Sequence, residues 1–186
     1  WGTAYATHML LDAKEAGFAV PQRNLDDAID WLSRTAAAED DAEDRYHGGR
    51  SPGGAAYMHY VLARAGKPDA ARMQDLIREL GTPSNGAEKE ALYLLQAGLY
   101  LAGDRRYESA LRSPDTSPIT KERRNGYAYY SDLRRRGFQL GVYADLFGAD
   151  DAEAQARLVA STLQDSAQGR LTTQEVAWGL TGLGKV

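Results

Sequence analysis

Cysteine is absent from all 186 residues. That excludes disulfides, thiolate metal ligands and a cysteine nucleophile within the chain. Also missing is an apolar run approaching the ~20 residues of a membrane span, and there is no charged-then-apolar leader. Alternation of apolar and polar residues is never sustained, so no β-strand is expected. Neither sign of charge is in large excess. The net charge of −4 and a pI near 5.4 give no footing for nucleic-acid binding. Proline is scarce, and all six fall in joints or connections. What remains, 43% hydrophobic and 26% charged residues, is ordinary for a globular chain long enough to bury a core. The chain opens on Trp1 rather than Met. We expect a fragment, a processed form or a trimmed chain, with 1-186 forming a single helical-hairpin domain.

The stretch from Tyr93 to Leu111 is the pattern that repeats. Leu92, Leu95, Leu99 and Ala102 fall at helical spacing, with Tyr93, Leu94, Tyr100 and Leu101 on the flanks. A helix apolar over so much of its circumference is buried. Gly103 ends it, being the residue best suited to the left-handed conformation after a helix. Asp104 follows, a carboxylate able to cap a second helix. A buried helix, a Gly-Asp joint and a more polar helix folding back make an αα-hairpin. Ala65-Gly66-Lys67-Pro68-Asp69 and Phe147-Gly148-Ala149-Asp150-Asp151 repeat the joint. Ala16-Gly17, with Asn24 beyond, is a looser copy, and Leu183-Gly184 closes the chain. Intervals of about forty residues indicate stacked helix pairs in a solenoid or ring. Their irregularity excludes strict tetratricopeptide repeats.

Taken in order, the first helix spans 1–16, with Ala6, Met9, Leu10 and Ala13 on one face; Phe18 folds back onto its last turn. Asn24 caps the second, where Leu25, Ala28, Ile29 and Leu32 form the stripe and Trp31 widens it. Residues 38–54 read as an exposed loop, acidic and then rich in Gly, Ser and Pro. A helix over 55–65 follows, and Asp69 starts its partner with Met73, Leu76, Ile77 and Leu80. After the 87–102 helix, Tyr107, Ala110 and Leu111 face inward. Residues 113–129 form a second long connection with a basic patch at Lys121, Arg123 and Arg124. Ser131 caps a helix whose first turns carry Arg134-Arg135-Arg136. The helix dipole disfavours cations there, so a carboxylate is required, from Asp132 or a neighbouring helix. An outer helix carries Leu158, Val159 and Leu163. Thr172-Thr173-Gln174-Glu175 is a capping box, with Leu171 and Val176 at the staple positions.

Few of these residues suggest chemistry. Asp40-Asp41-Ala42-Glu43-Asp44 has the spacing that holds magnesium and a diphosphate in isoprenoid enzymes. A solvated acidic loop fits better, since no second acidic cluster opposes it. His8 and His59 lie within helices and are expected to be structural. His47 falls in the acidic loop with nothing to activate it as a base. No pair of acids stands out for glycoside hydrolysis. The tyrosines sit at core spacing. No catalytic, cofactor-binding or metal-binding residue is expected.

Three stretches together resemble a known family. Trp1-Gly2-Thr3-Ala4-Tyr5 through Leu11, with Gly17-Phe18-Ala19-Val20-Pro21 and Ala28-Ile29-Asp30-Trp31-Leu32, is similar to the Trp-x-Thr-Ala-Tyr helix and its partner in the thioester domain of α2-macroglobulins. Tyr130-Ser131-Asp132-Leu133-Arg134 resembles a later helix start in bacterial members. Leu171 to Trp178 resembles their Ser-Thr-Gln-Glu helix start. The order and separations agree along the whole chain, and the bacterial branch is the closer. The resemblance implies an all-α fold, an α/α toroid (here a partial ring) of antiparallel helical hairpins. It implies a large, multidomain parent inhibitor, of which this chain is a fragment, that traps a protease after cleavage of a bait region. In many members a Cys–Gln thioester then acylates the protease. That motif, Cys-x-Glu-Gln, precedes the Trp-x-Thr-Ala-Tyr helix, and this chain begins at that helix. Complement-type members relay the acyl group through a histidine after the second helix. His47 lies in that connection, but its surroundings do not match and the role is not carried over.

The resulting expectation is a non-enzymatic fragment whose parent inhibits endopeptidases in the periplasm or outside the cell. Its partners are proteases, through the parent, and other domains of the same protein. Neither nucleic acid nor direct membrane contact is expected, and uncovered apolar faces would favour dimerisation. The alternatives are a toroidal enzyme of isoprenoid or glycoside-hydrolase type and a helical-repeat scaffold that binds proteins.

Overall fold

The computed structural model describes residues 2–41, 52–115, 117, 131–148, 152–166 and 171–186. Among them every regular element is a helix. They divide into two compact units, one of 1–81 and 94–105, the other of 82–93 and 106–186.

The first unit holds α1 (Gly2–Glu15), α2 (Gln22–Asp41), α3 (Pro52–Arg64), α4 (Ala70–Leu80) and the later half of α5 (Gly86–Leu101). α1, α2 and α3 pack on one another, and α4 packs on α3. Every residue of α3 from Ala56 to Ala63 is buried. Pro52 opens this helix earlier than the sequence suggests, in the position where a missing N–H costs nothing. Its joint to α4 is short for a local reason. Gly66 has φ +76°, its N–H donates to Ala63, and the Lys67 N–H donates to Leu62. These paired bonds close the helix end in a Schellman motif. The same pair of bonds recurs at Gly17 and at Gly103. Asp69 then caps α4 by accepting from the Arg72 amide at 2.9 Å.

Some expected details shift. The buried face of α1 is Ala4, Thr7, His8 and Leu11, while Ala6 is exposed. Thr7 and His8 are polar by type but bonded in place, the Thr7 hydroxyl to the Thr3 carbonyl at 2.8 Å and the His8 Nδ1 to the Tyr57 hydroxyl at 3.0 Å. Polar groups so bonded tolerate burial. Asn24 does not cap α2. The Pro21 carbonyl accepts from the Asn24 and Leu25 amides, which puts Asn24 inside the first turn. Trp31 is 44% exposed and Phe18 71%, so neither joins the core. α2 also runs on through Asp41, carried by the strong helix formers Ala36, Ala37 and Ala38. Residues 38–41 and 52–54 of the expected loop are thus helical, and 42–51 lie outside the described residues. On α4 only Met73 is buried, with Leu76, Ile77 and Leu80 half-covered.

The second unit holds the first half of α5, a 3-10 turn at Arg105–Tyr107, α6 (Glu108–Arg112), α7 (Asp132–Phe147), α8 (Ala152–Ser166) and α9 (Thr173–Leu183). The hairpin partner of α5 is thus one short helix, with Leu111 buried and Ala110 exposed. α7 is the centre and packs on both α8 and α9. Against α9 the backbones nearly touch. A Cβ added at Gly182 would stand 2.2 Å from the Gly137 carbonyl oxygen, and one at Gly137 would stand 2.7 Å from Gly179. Trp178 fills the adjoining space, stacked on Phe138 with ring centres 4.0 Å apart. In α8, Ala154, Leu158 and Thr162 are buried; the Leu163 side chain lies outside what is described. The helix before the joint is the more buried in α3/α4, α5/α6 and α7/α8, whereas α1 and α2 are alike. Gly184 has φ −72°, so the last of the expected glycine joints is not left-handed.

Candidate functional site

The Trp-x-Thr-Ala-Tyr stretch, described from Gly2 onward, builds a polar cluster inside the first unit. His8 lies between the rings of Tyr57 and Tyr60, with centroids 5.8 Å from each. Its Nδ1 faces the Tyr57 hydroxyl at 3.0 Å, and its Nε2 is 3.7 Å from the Asp12 carboxylate. Asp12 in turn accepts from Arg64 at 2.6 Å, and the other arm of that guanidinium reaches Glu15. The Arg64 side chain is only 4% exposed. Two successive turns of α1 thus present His8, Asp12 and Glu15 toward the end of α3. His8 is packed and hydrogen-bonded, and His59 is buried too. His47 lies outside the described residues, as do Glu43 and Asp44 of the acidic cluster and Lys121, Arg123 and Arg124 of the basic one.

A cleft of about 740 Å³ opens beside this cluster, where α1 ends, α2 begins and α3 ends. Its floor is Leu11, Leu25 and Ile29, and its rim is charged. The rim is internally paired: Lys67 with Asp30 at 3.1 Å, and Lys14 with Gln22, which also donates to Asp26, each at 2.8 Å.

The second unit gathers the arginine run. Arg134, Arg135 and Arg136 are all buried. Ser131 caps α7 by accepting from the Arg134 amide at 3.2 Å. Arg134 pairs with Glu90 of α5. Arg135 pairs with Asp132 at 3.2 Å and donates to the carbonyl oxygens of Asp115 and Ser117. Both sources of carboxylate named from the sequence are in use. Glu90 itself was not singled out. It is one of two acids in α5, with Glu88, and the only signal was the run of three arginines at a later helix start that calls for a carboxylate. Asp115 receives Lys89 at 2.7 Å and Ser117, and these bonds hold its carboxyl well below the usual range. Burial, with Tyr143 adding to it, pushes the Tyr93 hydroxyl far up. The Leu171–Trp178 stretch forms its capping box in full. The Glu175 amide donates to the Thr172 hydroxyl at 3.3 Å, and the Thr172 amide donates to the Glu175 carboxylate at 2.6 Å. Leu171 and Val176 stay 40% and 39% exposed.

What these features define is an all-α fold of helical hairpins, as in an α/α toroid. Known structures place that fold. Across 99% of its length the chain superposes on Salmonella α2-macroglobulin reacted with methylamine, with a TM-score of 0.74 and 24% identity. A mutant of the Salmonella protein matches over 97% of the chain, at 0.71 and 25%. Escherichia coli α2-macroglobulin activated by porcine elastase matches over 96%, at 0.73 and 21%. The chain spans 12% of each Salmonella chain and 16% of the E. coli chain. No protein-family model and no curated protein matches it. What the matches share with this chain is the fold, and they support the family that its motifs resemble, the bacterial α2-macroglobulins.

Proposed function

We propose that this chain is a non-catalytic helical part of a bacterial α2-macroglobulin-like inhibitor that traps endopeptidases. One observation carries the reading: three bacterial α2-macroglobulin structures match nearly the whole chain. The sequence motifs that resemble the family fall at structural points of that fold, the His8 helix, the Ser131 cap and the Thr172 capping box. Activation of the E. coli protein by elastase supports a protease as the parent's partner. In this reading 1-186 is one domain of the parent, it meets the parent's other domains, and the protein works in the periplasm or outside the cell. No described helix is long and apolar enough to cross a membrane.

The chain by itself neither cleaves nor captures a protease. Thioester acylation needs an activated acyl group, and without cysteine none forms here. Two measurements test this. Reading the ~100 residues encoded upstream, a typical domain length, should reveal either Cys-x-Glu-Gln or its replacement in the same helical setting. Mixing the purified chain with elastase should leave no protease-linked band on a denaturing gel and no shielding of elastase from large inhibitors. A linked band or shielding would mean a self-sufficient inhibitor, against this reading.

A further inference from the structure

The chain leaving α6, described at 113–115 and 117, buries no large apolar side chain. Ser113, Asp115 and Ser117 are exposed and Pro114 is half-buried, so apolar packing does not hold it. Its ties are polar, and two of them are weak. Lys89 of α5 reaches the Asp115 carboxylate, but the two side chains are 33% and 51% exposed, and exposed pairs contribute little. The Ser117 amide donates to the same carboxylate at 2.9 Å, a turn closed within three residues. The third tie is Arg135, whose side chain is 1% exposed. It stands in the first turns of α7, where the dipole opposes a cation and burial strips its hydration. Asp132, three residues earlier on the same helix, is 3.2 Å away and offsets the charge; a pair so spaced can do that at the helix surface. The guanidinium is instead covered, with one arm donating to the Asp115 carbonyl and the other to the Ser117 carbonyl at 2.6 Å. Its rigid fork suits two acceptors at once.

We propose that Arg135 is a positioning residue, a clip that holds the start of the α6–α7 connection against the head of α7. Because its acceptors are main-chain carbonyls, the clip sets the course of the backbone whatever side chains stand at 115 and 117. Ser131 caps the same end of α7, so both flanks of residues 118–130 are brought to one helix end. The Lys89 pair and the local turn follow from the clip rather than produce it.

The test uses the full chain with Arg135→Met, Arg135→Lys and Lys89→Met. It reads amide exchange by NMR at Ser117 and at Leu140, in the middle of α7. Methionine keeps an unbranched stem without charge, and lysine keeps the charge without the fork. In both Arg135 variants the Ser117 amide should exchange about tenfold faster, the worth of a hydrogen bond to a charged acceptor, while Leu140 keeps the parent's rate. In Lys89→Met the Ser117 amide should stay close to the parent. Ser117 as protected in Arg135→Met as in the parent would show that the turn holds itself. Full protection in Arg135→Lys would reduce Arg135 to a charge beside Asp132. Release by Lys89→Met as large as by Arg135→Met would make α5 the holder. Leu140 loosened as much as Ser117, or Arg135 variants that do not fold, would make Arg135 a support of the whole unit. Each of these four outcomes overturns the clip.

Discussion

Asp115 holds its charge more firmly than an ordinary aspartate. The Lys89 ammonium, with the Ser117 hydroxyl and amide behind it, stabilises the carboxylate and lowers its pKa from 3.8. The unfolded chain therefore takes up this proton at a higher pH than the folded one. Such a group contributes stability above its ordinary pKa, and the contribution fades as pH falls through that range and below. In Lys89→Met the first cause is gone. Urea midpoints of parent and variant should differ at about pH 6 and converge toward about pH 2. A gap that stays constant with pH would show that the pair is not formed. Thr172 offers a second test. Thr172→Ala leaves the Glu175 amide without its acceptor and should cost on the order of 1 kcal/mol. Guanidinium denaturation should show a lower midpoint at unchanged slope. The capping box was legible because its four residues act on one another locally. The partner of Arg134 was legible only as a requirement for a carboxylate. Glu90 lies 44 positions earlier in the chain, and nothing local marks it as the answer.

Between elements, glycine decides how closely helices approach. Gly182→Ala would put a methyl 2.2 Å from a backbone oxygen of α7, where no side chain can yield. α9 must move away from α7, at a cost of about 3 kcal/mol, the upper end for overpacking. Gly54→Ala is the control. Its added methyl meets nothing within 4 Å, and helix propensity favours alanine by about 1 kcal/mol. Thermal denaturation should separate the two in opposite directions, and a Gly182→Ala protein as stable as the parent would mean that α7 and α9 are not so close. Helix ends at Gly17, Gly66 and Gly103 could be read from the sequence because a left-handed residue is a local demand. The faces of α1 and the start of α2 could not. His8 and Thr7 turn inward because Tyr57 and Thr3 satisfy them, and the Pro21 carbonyl takes over the capping expected of Asn24. Both outcomes depend on acceptors that periodicity does not weigh.

For the whole molecule, the fold class was readable at two levels. Recurrent glycine joints pointed to helical hairpins, and three motifs in register pointed to a family in whose structures a segment matches nearly the whole of this chain. The internal ion-pair network was not readable, since it joins side chains distant in sequence, as Arg64 joins Asp12 across 52 positions. Cleavage requires an extended segment that a protease can draw into its groove, and loop tips usually supply one. At Gly17, Gly66 and Gly103 the chain reverses through backbone hydrogen bonds that start within the preceding helix, so nicking there means unwinding a helical turn first. Under limited elastase digestion these three joints should stay intact while other connections are cut, and peptide mapping of the first fragments would show it. The glycine that lets each helix stop so abruptly also denies a protease its foothold.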